Sequence, residues 1–355
     1  MTTGINVGAP EAPSPVTVPV VRRRRIRLPR STKVVTGLTM LSVFVFLAIF
    51  GSALSPYDPG AQASSTVGLP QPPSAAHLLG TTNIQQDVLS QLLTGTQPIM
   101  LVAFLAGAVA TLLSIVIGVS AGYFGGLLDD LLSMLINVSL VLPALPLLIV
   151  LTGFLGSTSS ANDPLIALII AITGWAWGAR VLRVQVLSLR NQDFVESARL
   201  IGERTWRIVA FEIMPSLIPI IASSFLFTVI YAIGTYASIA YLGLINASHW
   251  SWGIMLFWAQ SEHAVQSGWW WWFVPPGLAI ALLGTALALL NFGIDEFINP
   301  RLRAAGLSRK VARNAGLPRR FRLGLTPVTA QSRVRAIPAG AADLDDAVLD
   351  EETSR

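Results

Sequence analysis

Few residues in this chain combine the types and spacing that enzymatic chemistry requires. The histidines lie far apart in sequence and give no recognisable set of metal ligands: His77, His249 and His263. The absence of cysteine excludes disulfides, thiol chemistry and cysteine-bound zinc. Lys33 and Lys310 are the only lysines, and both lie outside any Gly-x-x-x-x-Gly-Lys sequence that could bind the phosphates of ATP. We therefore predict no catalytic residue, metal or cofactor bound by this chain.

An acidic pair, Asp129 and Asp130, precedes a long apolar stretch. Such a pair could bind a metal and a diphosphate in a membrane-embedded enzyme that acts on lipid or isoprenoid substrates. That chemistry needs further carboxylates, and no second acidic pair faces this one from another loop. We interpret the pair as a solvated turn, and the membrane enzyme is the alternative from another functional class.

One polar segment is patterned for binding a partner rather than for catalysis. Apolar residues recur at helical spacing from Phe194 to Ile201, and Gly202 permits the left-handed turn that ends a helix. A second helix is predicted to begin with Thr205 as its cap. Pro215 then opens the next apolar run at a first-turn position, where its missing amide hydrogen costs nothing. An ordinary interfacial loop, whose arginines reach lipid headgroups, is the alternative interpretation.

The elements that must position this segment are strongly apolar. Hydrophobic residues make up 53% of the chain and charged residues only 12%, which exceeds what a water-soluble core needs. A helix crosses a hydrocarbon layer of about 30 Å with about 20 residues. Six runs reach that length: Val34–Leu54, Ile99–Ala121, Leu131–Leu155, Leu165–Val181, Leu217–Tyr241 and Phe273–Phe292. The sequence thus predicts an all-α membrane protein with six transmembrane helices.

The basic residues give an orientation for these spans. All 24 fall into three segments, with seven in 22–33, six in 180–207 and eleven in 301–355. Lysine and arginine near span ends are retained in the cytoplasm. Six spans that start from a cytoplasmic N-terminus place all three segments on that side, so both termini are predicted to be cytoplasmic. The net charge of +5 then reflects topology and attraction to anionic lipids rather than nucleic-acid binding.

The spans divide the chain into a tail, a first helix, a long loop, a helical core and a second tail. Both tails are rich in basic and small residues and are predicted to be disordered. The regions are a basic cytoplasmic tail at 1–33, a first span at 34–54, an extracytoplasmic loop at 55–98, a core at 99–303 and a cytoplasmic tail at 304–355. The patterned loop occupies 183–215 of the core, and Asp87–Leu93 is predicted as a short helix of the external loop.

The patterned loop resembles the signature loop of ABC importer permeases. That loop carries a Glu-Ala-Ala sequence, a downstream glycine, and an isoleucine shortly before a proline. The matching residues here are Glu196, Ser197, Ala198, Gly202, Ile213 and Pro215, with Ser197 in place of one alanine. The resemblance implies a type I ABC importer permease fold, in which this coupling loop docks an ATPase subunit.

The resemblance extends over residues 34–303. Within the family, the chain is most similar to the second permease of dipeptide and oligopeptide importers. Permeases of this type also serve importers of nickel and some oligosaccharides. The external loop resembles that family's His-x-Leu-Gly-Thr-Asp-x-x-Gly-Arg-Asp-Val-Leu-Ser-Arg segment at His77, Leu79–Thr81 and Asp87–Ser90. Further matches are Pro143, Ala179, Arg180, Arg183, Leu242–Leu244, Ser251–Gly253 and Asn299–Arg301.

Some positions depart from the family pattern. In the external loop, uncharged residues replace the usual Asp, Gly and Arg residues: Thr82, Gln85, Gln86, Gln91 and Gln97. In the coupling loop, Glu212 and Ser216 stand where His and Asn are common. We expect these changes to affect the cargo and the pairing with the ATPase rather than the fold.

The resemblance also implies the partners and the location. Two ATPase subunits would hold ATP and Mg²⁺, and their closure would move the docked loop. The other implied partners are a second homologous permease, an extracytoplasmic substrate-binding protein and the lipids of a bacterial cell membrane. Small Ala198 and Gly202 would allow close approach to the ATPase, with Glu196 as a polar anchor. Peptides are the expected cargo, and oligosaccharides or nickel are the alternatives.

The second to sixth spans would line the translocation path. They contain almost no ionisable residue, which disfavours a proton- or sodium-coupled carrier because such carriers use intramembrane carboxylates. The polar candidates for contact with the solute are Asn137, Ser139, Thr228 and Tyr231. Trp269–Trp272 are interpreted as an interfacial aromatic belt, with sugar stacking as the alternative. A non-transporting membrane scaffold is a further alternative, which predicts that deletion of 196–202 leaves uptake intact.

Overall fold

Helices dominate the computed structural model, which describes residues 32–61, 69–155, 163–245 and 250–298. Within these ranges the only strand-like feature is an isolated antiparallel bridge between Thr81 and Asp87. The helices are α1 (Thr32–Leu54), α2 (Val88–Thr94), α3 (Thr96–Phe124), α4 (Gly126–Val141), α5 (Ala144–Leu155), α6 (Asp163–Leu189), α7 (Asp193–Leu200), α8 (Thr205–Arg207), α9 (Met214–Tyr241), α10 (Trp252–Ser261) and α11 (Trp270–Ile298). The predicted tails lie outside the described residues, except for 32 and 33, as do His249 and the Asn299–Arg301 match. The all-α prediction is confirmed.

Among the described residues, five helices are each long and apolar enough to cross a membrane: α1, α3, α6, α9 and α11. They contain five of the six predicted spans. The remaining span, 131–155, corresponds to α4 and α5, which are apolar enough to cross together but meet at an angle of 86°, so the described residues contain six spans if this bent pair is one of them. Leu142 is extended, with a ψ of 127°, since a residue before proline avoids the helical conformation. Pro143 also lacks the amide hydrogen that would continue the helix.

The helices α3 and α6 form the centre of the fold and lie in backbone contact. A Cβ atom on Gly118 would lie 2.5 Å from the carbonyl oxygen of Ala179, so a larger residue there would separate the two helices. The Ser114 hydroxyl donates a hydrogen bond to the Trp175 carbonyl oxygen at 2.6 Å. Small residues permit this close packing of membrane helices. Helix α9 packs against both, and the three helices make a frame for the remaining elements.

The first helix packs mainly along the last, at the outside of this frame. A Cβ atom on Gly37 of α1 would lie 2.9 Å from the carbonyl oxygen of Ala286 in α11. Other positions of α1 expose large apolar side chains, among them Phe46 and Ile49. An exposed apolar face of this length suits contact with lipid.

The predicted short helix of the 55–98 loop is confirmed as α2. Asp87 caps it, and the carboxylate accepts a hydrogen bond from the Ser90 amide at 2.8 Å. His77 Nδ1 lies 2.9 Å from the other carboxylate oxygen, so this histidine belongs to a structural pair. The Trp271 ring donates a hydrogen bond to the Thr81 carbonyl oxygen at 3.3 Å, which ties the loop to α11.

The four tryptophans predicted as an interfacial belt lie at the start of α11 and directly before it. Trp272 is buried, Trp269 and Trp271 are half-buried, and Trp270 is exposed. The Trp271 ring also bonds to the 55–98 loop, and the interfacial belt stays a prediction.

Helix α10 lies in the 242–272 stretch that the sequence predicted as a loop. The Ser251 hydroxyl caps it and accepts a hydrogen bond from the Ile254 amide at 3.3 Å. Trp252 Nε1 donates a hydrogen bond to the Leu92 carbonyl oxygen at 3.0 Å and joins α10 to α2. The helix is too short for a span and is apolar nearly all round, which is typical of a buried helix rather than an amphipathic one.

Candidate functional site

The predicted helix before Gly202 is present as α7 and ends in a glycine turn. Gly202 has a φ of +80°. Its amide donates a hydrogen bond to the Arg199 carbonyl oxygen at 3.0 Å, and the Glu203 amide donates one to the Ala198 carbonyl oxygen at 3.1 Å. These two bonds form the Schellman arrangement, which satisfies carbonyl groups at the end of a helix. The sequence prediction for this turn is confirmed.

One side of α7 packs onto the helical frame. Val195 and Ala198 are buried in an apolar cluster with Leu182 and Val186 of α6 and Leu217 of α9. The contact fixes the orientation of α7 relative to two transmembrane helices. A force applied to α7 therefore reaches both of them through packed side chains.

Other positions of the 183–215 segment expose large apolar side chains. Leu200 is 82% exposed, Ile201 78%, Trp206 61% and Phe211 63%. Ile201 belongs to the apolar residues at helical spacing in the sequence, but α7 ends at Leu200 and Ile201 lies beyond the helix. We refer to Leu200, Ile201, Trp206 and Phe211 as the apolar surface.

The six residues matched to the coupling loop fall into two groups. Glu196, Ser197, Gly202 and Pro215 are exposed, whereas Ala198 and Ile213 are buried. The buried pair therefore holds the segment together rather than contacting a partner. Neither Leu200 nor Phe211 of the apolar surface was singled out from the sequence, although two adjacent apolar residues directly before a helix-ending glycine were a usable signal.

The second helix of the segment runs without a break into the fifth span. It begins as α8, continues as a π-helix over Ile208–Ile213 and becomes α9. The predicted cap is wrong, because Arg204 is the residue at the cap position and Thr205 lies inside the helix. The π-helix ends shortly before Pro215, whose missing amide hydrogen would interrupt the hydrogen bonds of a regular α-helix.

Three arginines, two at the end of α6 and one in α7, contact the end of α3 and the start of α4. Arg183 donates two hydrogen bonds to Asp129, from Nε at 2.6 Å and from Nη2 at 2.9 Å. Arg190 Nη1 donates one to the Gly122 carbonyl oxygen at 3.1 Å. The Arg199 guanidinium lies over the Tyr123 ring, 5.4 Å from its centre. We call Arg183, Arg190 and Arg199 the arginine clamp.

The clamp corrects the interpretation of the acidic pair. Asp129 accepts hydrogen bonds from Arg183 and also from the Ser133 hydroxyl at 2.9 Å, so it is not a solvated turn residue. Asp130 is exposed, as expected. No pattern in the sequence indicated the pairing, since Asp129 and Arg183 lie 54 positions apart.

Three of the four predicted path residues line one cleft of about 170 Å³. Ser139 belongs to α4, whereas Thr228 and Tyr231 belong to α9. The Tyr231 hydroxyl lies 3.3 Å from the Thr173 hydroxyl of α6. The fourth residue, Asn137, does not line this cleft, and its side-chain oxygen accepts a hydrogen bond from Arg180 Nη2 at 2.7 Å.

Two aromatic side chains of the same cleft were not predicted. Trp177 and Phe227 stack with ring centres 4.7 Å apart and an interplanar angle of 29°. Each is nearly half exposed. The cleft thus combines hydroxyl groups with an exposed aromatic face, a lining suited to solutes that carry both polar and apolar groups. Among the described residues, no three acidic, histidine or cysteine side chains are placed to hold a metal ion.

Comparison with known proteins gives a family for this arrangement. Residues 114–304, from the middle of α3 to beyond α11, match the family described as binding-protein-dependent transport system inner membrane component. A dipeptide transport system permease of Bacillus subtilis is 30% identical over 278 residues, which are 78% of this chain and 84% of that protein.

Two further relatives carry related names. A glutathione transport system permease of Pectobacterium atrosepticum is 28% identical over 299 residues, with 81% of this chain and 96% of that protein covered. An oligopeptide transport system permease of Mycobacterium tuberculosis is 27% identical over 284 residues, with 79% and 96% covered. The chain therefore belongs to the inner-membrane components of binding-protein-dependent transport systems, the permease subunits of ABC importers.

Proposed function

We propose that this permease imports short peptides, and that its 183–215 segment is the coupling loop on which an ATPase subunit docks. The observation that carries the docking proposal is the apolar surface beside the rigid turn at Gly202. Exposed apolar side chains on a fixed helical support are typical of protein interfaces. Glu196 and Ser197 lie beside this surface and supply polar contacts at its edge.

The arrangement around α7 supports a mechanical role. The partner ATPase binds ATP, and its closure displaces α7. Val195 and Ala198 transmit that displacement to α6 and α9 through their buried contacts, and the arginine clamp carries it to the α3–α4 turn. Movement of α4, α6 and α9 would change the cleft that contains Ser139, Thr228 and Tyr231. We infer that the cleft belongs to the translocation path, which is completed by a second permease.

The basic residues support an orientation for the importer. The segments 22–33, 180–207 and 301–355 contain all the lysines and arginines, so we propose that they lie in the cytoplasm with both termini and the ATPases. The 55–98 loop then faces outward, towards a substrate-binding protein that delivers the cargo. This places the chain in the bacterial cell membrane, with the core at 99–303 forming its half of the path and the tails at 1–33 and 304–355 in the cytoplasm.

Co-purification and uptake test this proposal together. The double variant Leu200→Asp with Ile201→Asp places two charges on the apolar surface, where neither side chain is buried. In mild detergent, the tagged variant should retain the partner permease and lose the ATPase, and cells that carry it should lose uptake of radiolabelled dialanine. The matched control is Leu69→Asp, which changes an 80% exposed leucine of the 55–98 loop.

The control should keep both the ATPase and dialanine uptake. Equal recovery of the ATPase with the double variant and the control would contradict docking at this surface. Uptake of a labelled oligosaccharide or of nickel, with no uptake of dialanine, would contradict the peptide cargo and leave the docking result unaffected.

A further inference from the structure

A second cleft, of about 350 Å³, lies between the 55–98 loop and the helices α10 and α11. Thr82 and Asn83 of the loop, Trp258 and Glu262 at the end of α10, and Trp272 of α11 contribute to its lining. Its volume is in the range of pockets that hold small molecules. No part of the docking or path argument involves these residues.

The wall of this cleft is held in place by side-chain hydrogen bonds. Gln91 Nε2 donates to Gln86 Oε1 at 2.8 Å. Gln86 Nε2 in turn donates to the Gly60 carbonyl oxygen at 3.1 Å. Both glutamines are buried, with 1% of Gln91 and 6% of Gln86 exposed. The cleft is therefore preformed by an ordered polar network and is not a gap between mobile loops.

Two polar atoms of the lining residues are left without a partner. Gln91 Oε1 and Trp272 Nε1 are buried and have no hydrogen-bond partner among the described residues. A buried polar group without a partner is costly and uncommon in folded proteins. One atom accepts a hydrogen bond and the other donates one, so a ligand that satisfies both must carry a donor and an acceptor.

A negatively charged side chain in the cleft favours the binding of a cation. Glu262 is the only ionisable residue in the lining, and no salt bridge to it forms within the described residues. The sequence has no lysine or arginine between residues 34 and 179 or between 208 and 300, so no lysine or arginine of this part of the chain competes for the carboxylate. Trp250, Trp258 and Trp272 line the same cleft and supply aromatic surface. Tryptophan faces and a carboxylate together recognise organic ammonium groups.

We propose that this cleft binds the amino-terminal end of a short peptide. The ammonium group lies against Glu262 and the tryptophan rings, and the first peptide group donates to Gln91 Oε1 and accepts from Trp272 Nε1. A simple amine lacks the acceptor, and a sugar lacks the positive charge, so the peptide terminus matches the cleft better than either. This inference rests on the proposed peptide cargo and adds an entry site to it, separate from the path cleft.

Equilibrium binding to the intact transporter tests the site. The full-length chain, purified with its partner subunits and placed in nanodiscs of phosphatidylglycerol, is titrated with dialanine amide by calorimetry without ATP. We expect binding to the wild type, a loss of roughly tenfold in affinity for Glu262→Gln, and a similar loss when the probe is N-acetylated and has no ammonium group. Asp58→Asn is the control, because Asp58 is an exposed carboxylate of the 55–98 loop that does not line the cleft and should leave affinity unchanged.

Several outcomes would overturn the proposal. They are no binding of dialanine amide to the wild type, equal affinities of Glu262→Gln and Asp58→Asn, and equal affinities of free and acetylated probes. Displacement of the probe by phosphoethanolamine at matched concentration would instead assign the site to lipid headgroups and overturn the peptide assignment. Since binding is measured without ATP, a failure of ATPase docking leaves this result intact, and a failure of uptake with retained binding contradicts only the proposed transport.

Discussion

Gly202 sets the end of α7 through a conformation that side chains rarely adopt. Its φ of +80° is in the left-handed region, where a Cβ atom collides with the neighbouring backbone. No other atoms lie within 4 Å of the position that a Cβ would occupy, so the strain of a substitution would come from the backbone alone. A substitution at Gly202 therefore tests the geometry of the turn without changing contacts with other residues.

Replacing Gly202 with alanine should loosen α7 without filling any cavity. We expect a cost of about 1 kcal/mol in the free energy of closing the turn, which corresponds to about fivefold faster local opening. Hydrogen exchange of peptides that cover 193–204 measures this opening. Gly202→Asn is the control, because asparagine tolerates the left-handed conformation better, and it should exchange at a rate closer to the wild type. Equal rates for the alanine variant and the wild type would show that the turn is not under this constraint.

At the residue scale, the sequence predicted the turn but only part of the surface around it. The apolar spacing before Gly202 predicted a helix, and the structure confirms it as α7, with Val195 and Ala198 buried. Ile201 fits the same spacing but lies beyond the helix end and is exposed, because the turn at Gly202 begins before it can pack. The pairing of Asp129 with Arg183 depends on how α4 and α6 pack, which local sequence does not encode.

At the element scale, long apolar runs were predictable and departures from straight helices were not. A run of about 20 apolar residues forms a helix in lipid because no other structure satisfies its backbone groups, and α1, α3, α6, α9 and α11 follow that rule. The predicted span at 131–155 includes Pro143, and the chain bends there by 86°. The short helix α10 was missed because a ten-residue, mostly apolar stretch has neither a helical stripe nor the length of a span.

The arginine clamp between the helices can be tested by substitution. Asp129→Asn removes the charge that Arg183 binds between α4 and α6, while the amide keeps the size of the side chain. Both partners are partly exposed, with 14% of the Asp129 and 29% of the Arg183 side chain accessible, so we expect the pair to contribute about 1 kcal/mol. If the clamp transmits motion from the coupling loop, uptake per ATP hydrolysed should fall about fivefold, while co-purification of the ATPase stays unchanged.

The neighbouring carboxylate provides the control for this test. Asp130→Asn removes an equal charge one position away, at an exposed residue, and should leave the coupling ratio as in the wild type. A further check exchanges the partners, with Asp129→Arg and Arg183→Asp in one chain, which should recover part of the lost coupling. A coupling ratio that is the same for Asp129→Asn and Asp130→Asn would argue against a mechanical role for the clamp.

At the scale of the whole molecule, the lysines and arginines are confined to three segments of the chain. Arg183, Arg190 and Arg199 gather at one end of the helical frame, whereas the cleft with Glu262 is built from a part of the chain without any lysine or arginine. This separation was readable from the sequence, because it depends only on which residues lie between the spans. The two clefts were not, because each combines side chains from elements that are distant in sequence.

The separation of charge predicts which face of the membrane each loop occupies, and the absence of cysteine makes the prediction simple to measure. Ala75→Cys and Asn191→Cys each place one thiol at an exposed position, the first in the 55–98 loop and the second just before α7. In intact spheroplasts, a membrane-impermeant maleimide should label Ala75→Cys and should not label Asn191→Cys. After permeabilisation both should react, which controls for the accessibility of each thiol. The reverse pattern in intact spheroplasts would place the arginine-rich segment outside the cell and contradict ATPase docking on α7, because the ATP that drives such subunits is held in the cytoplasm.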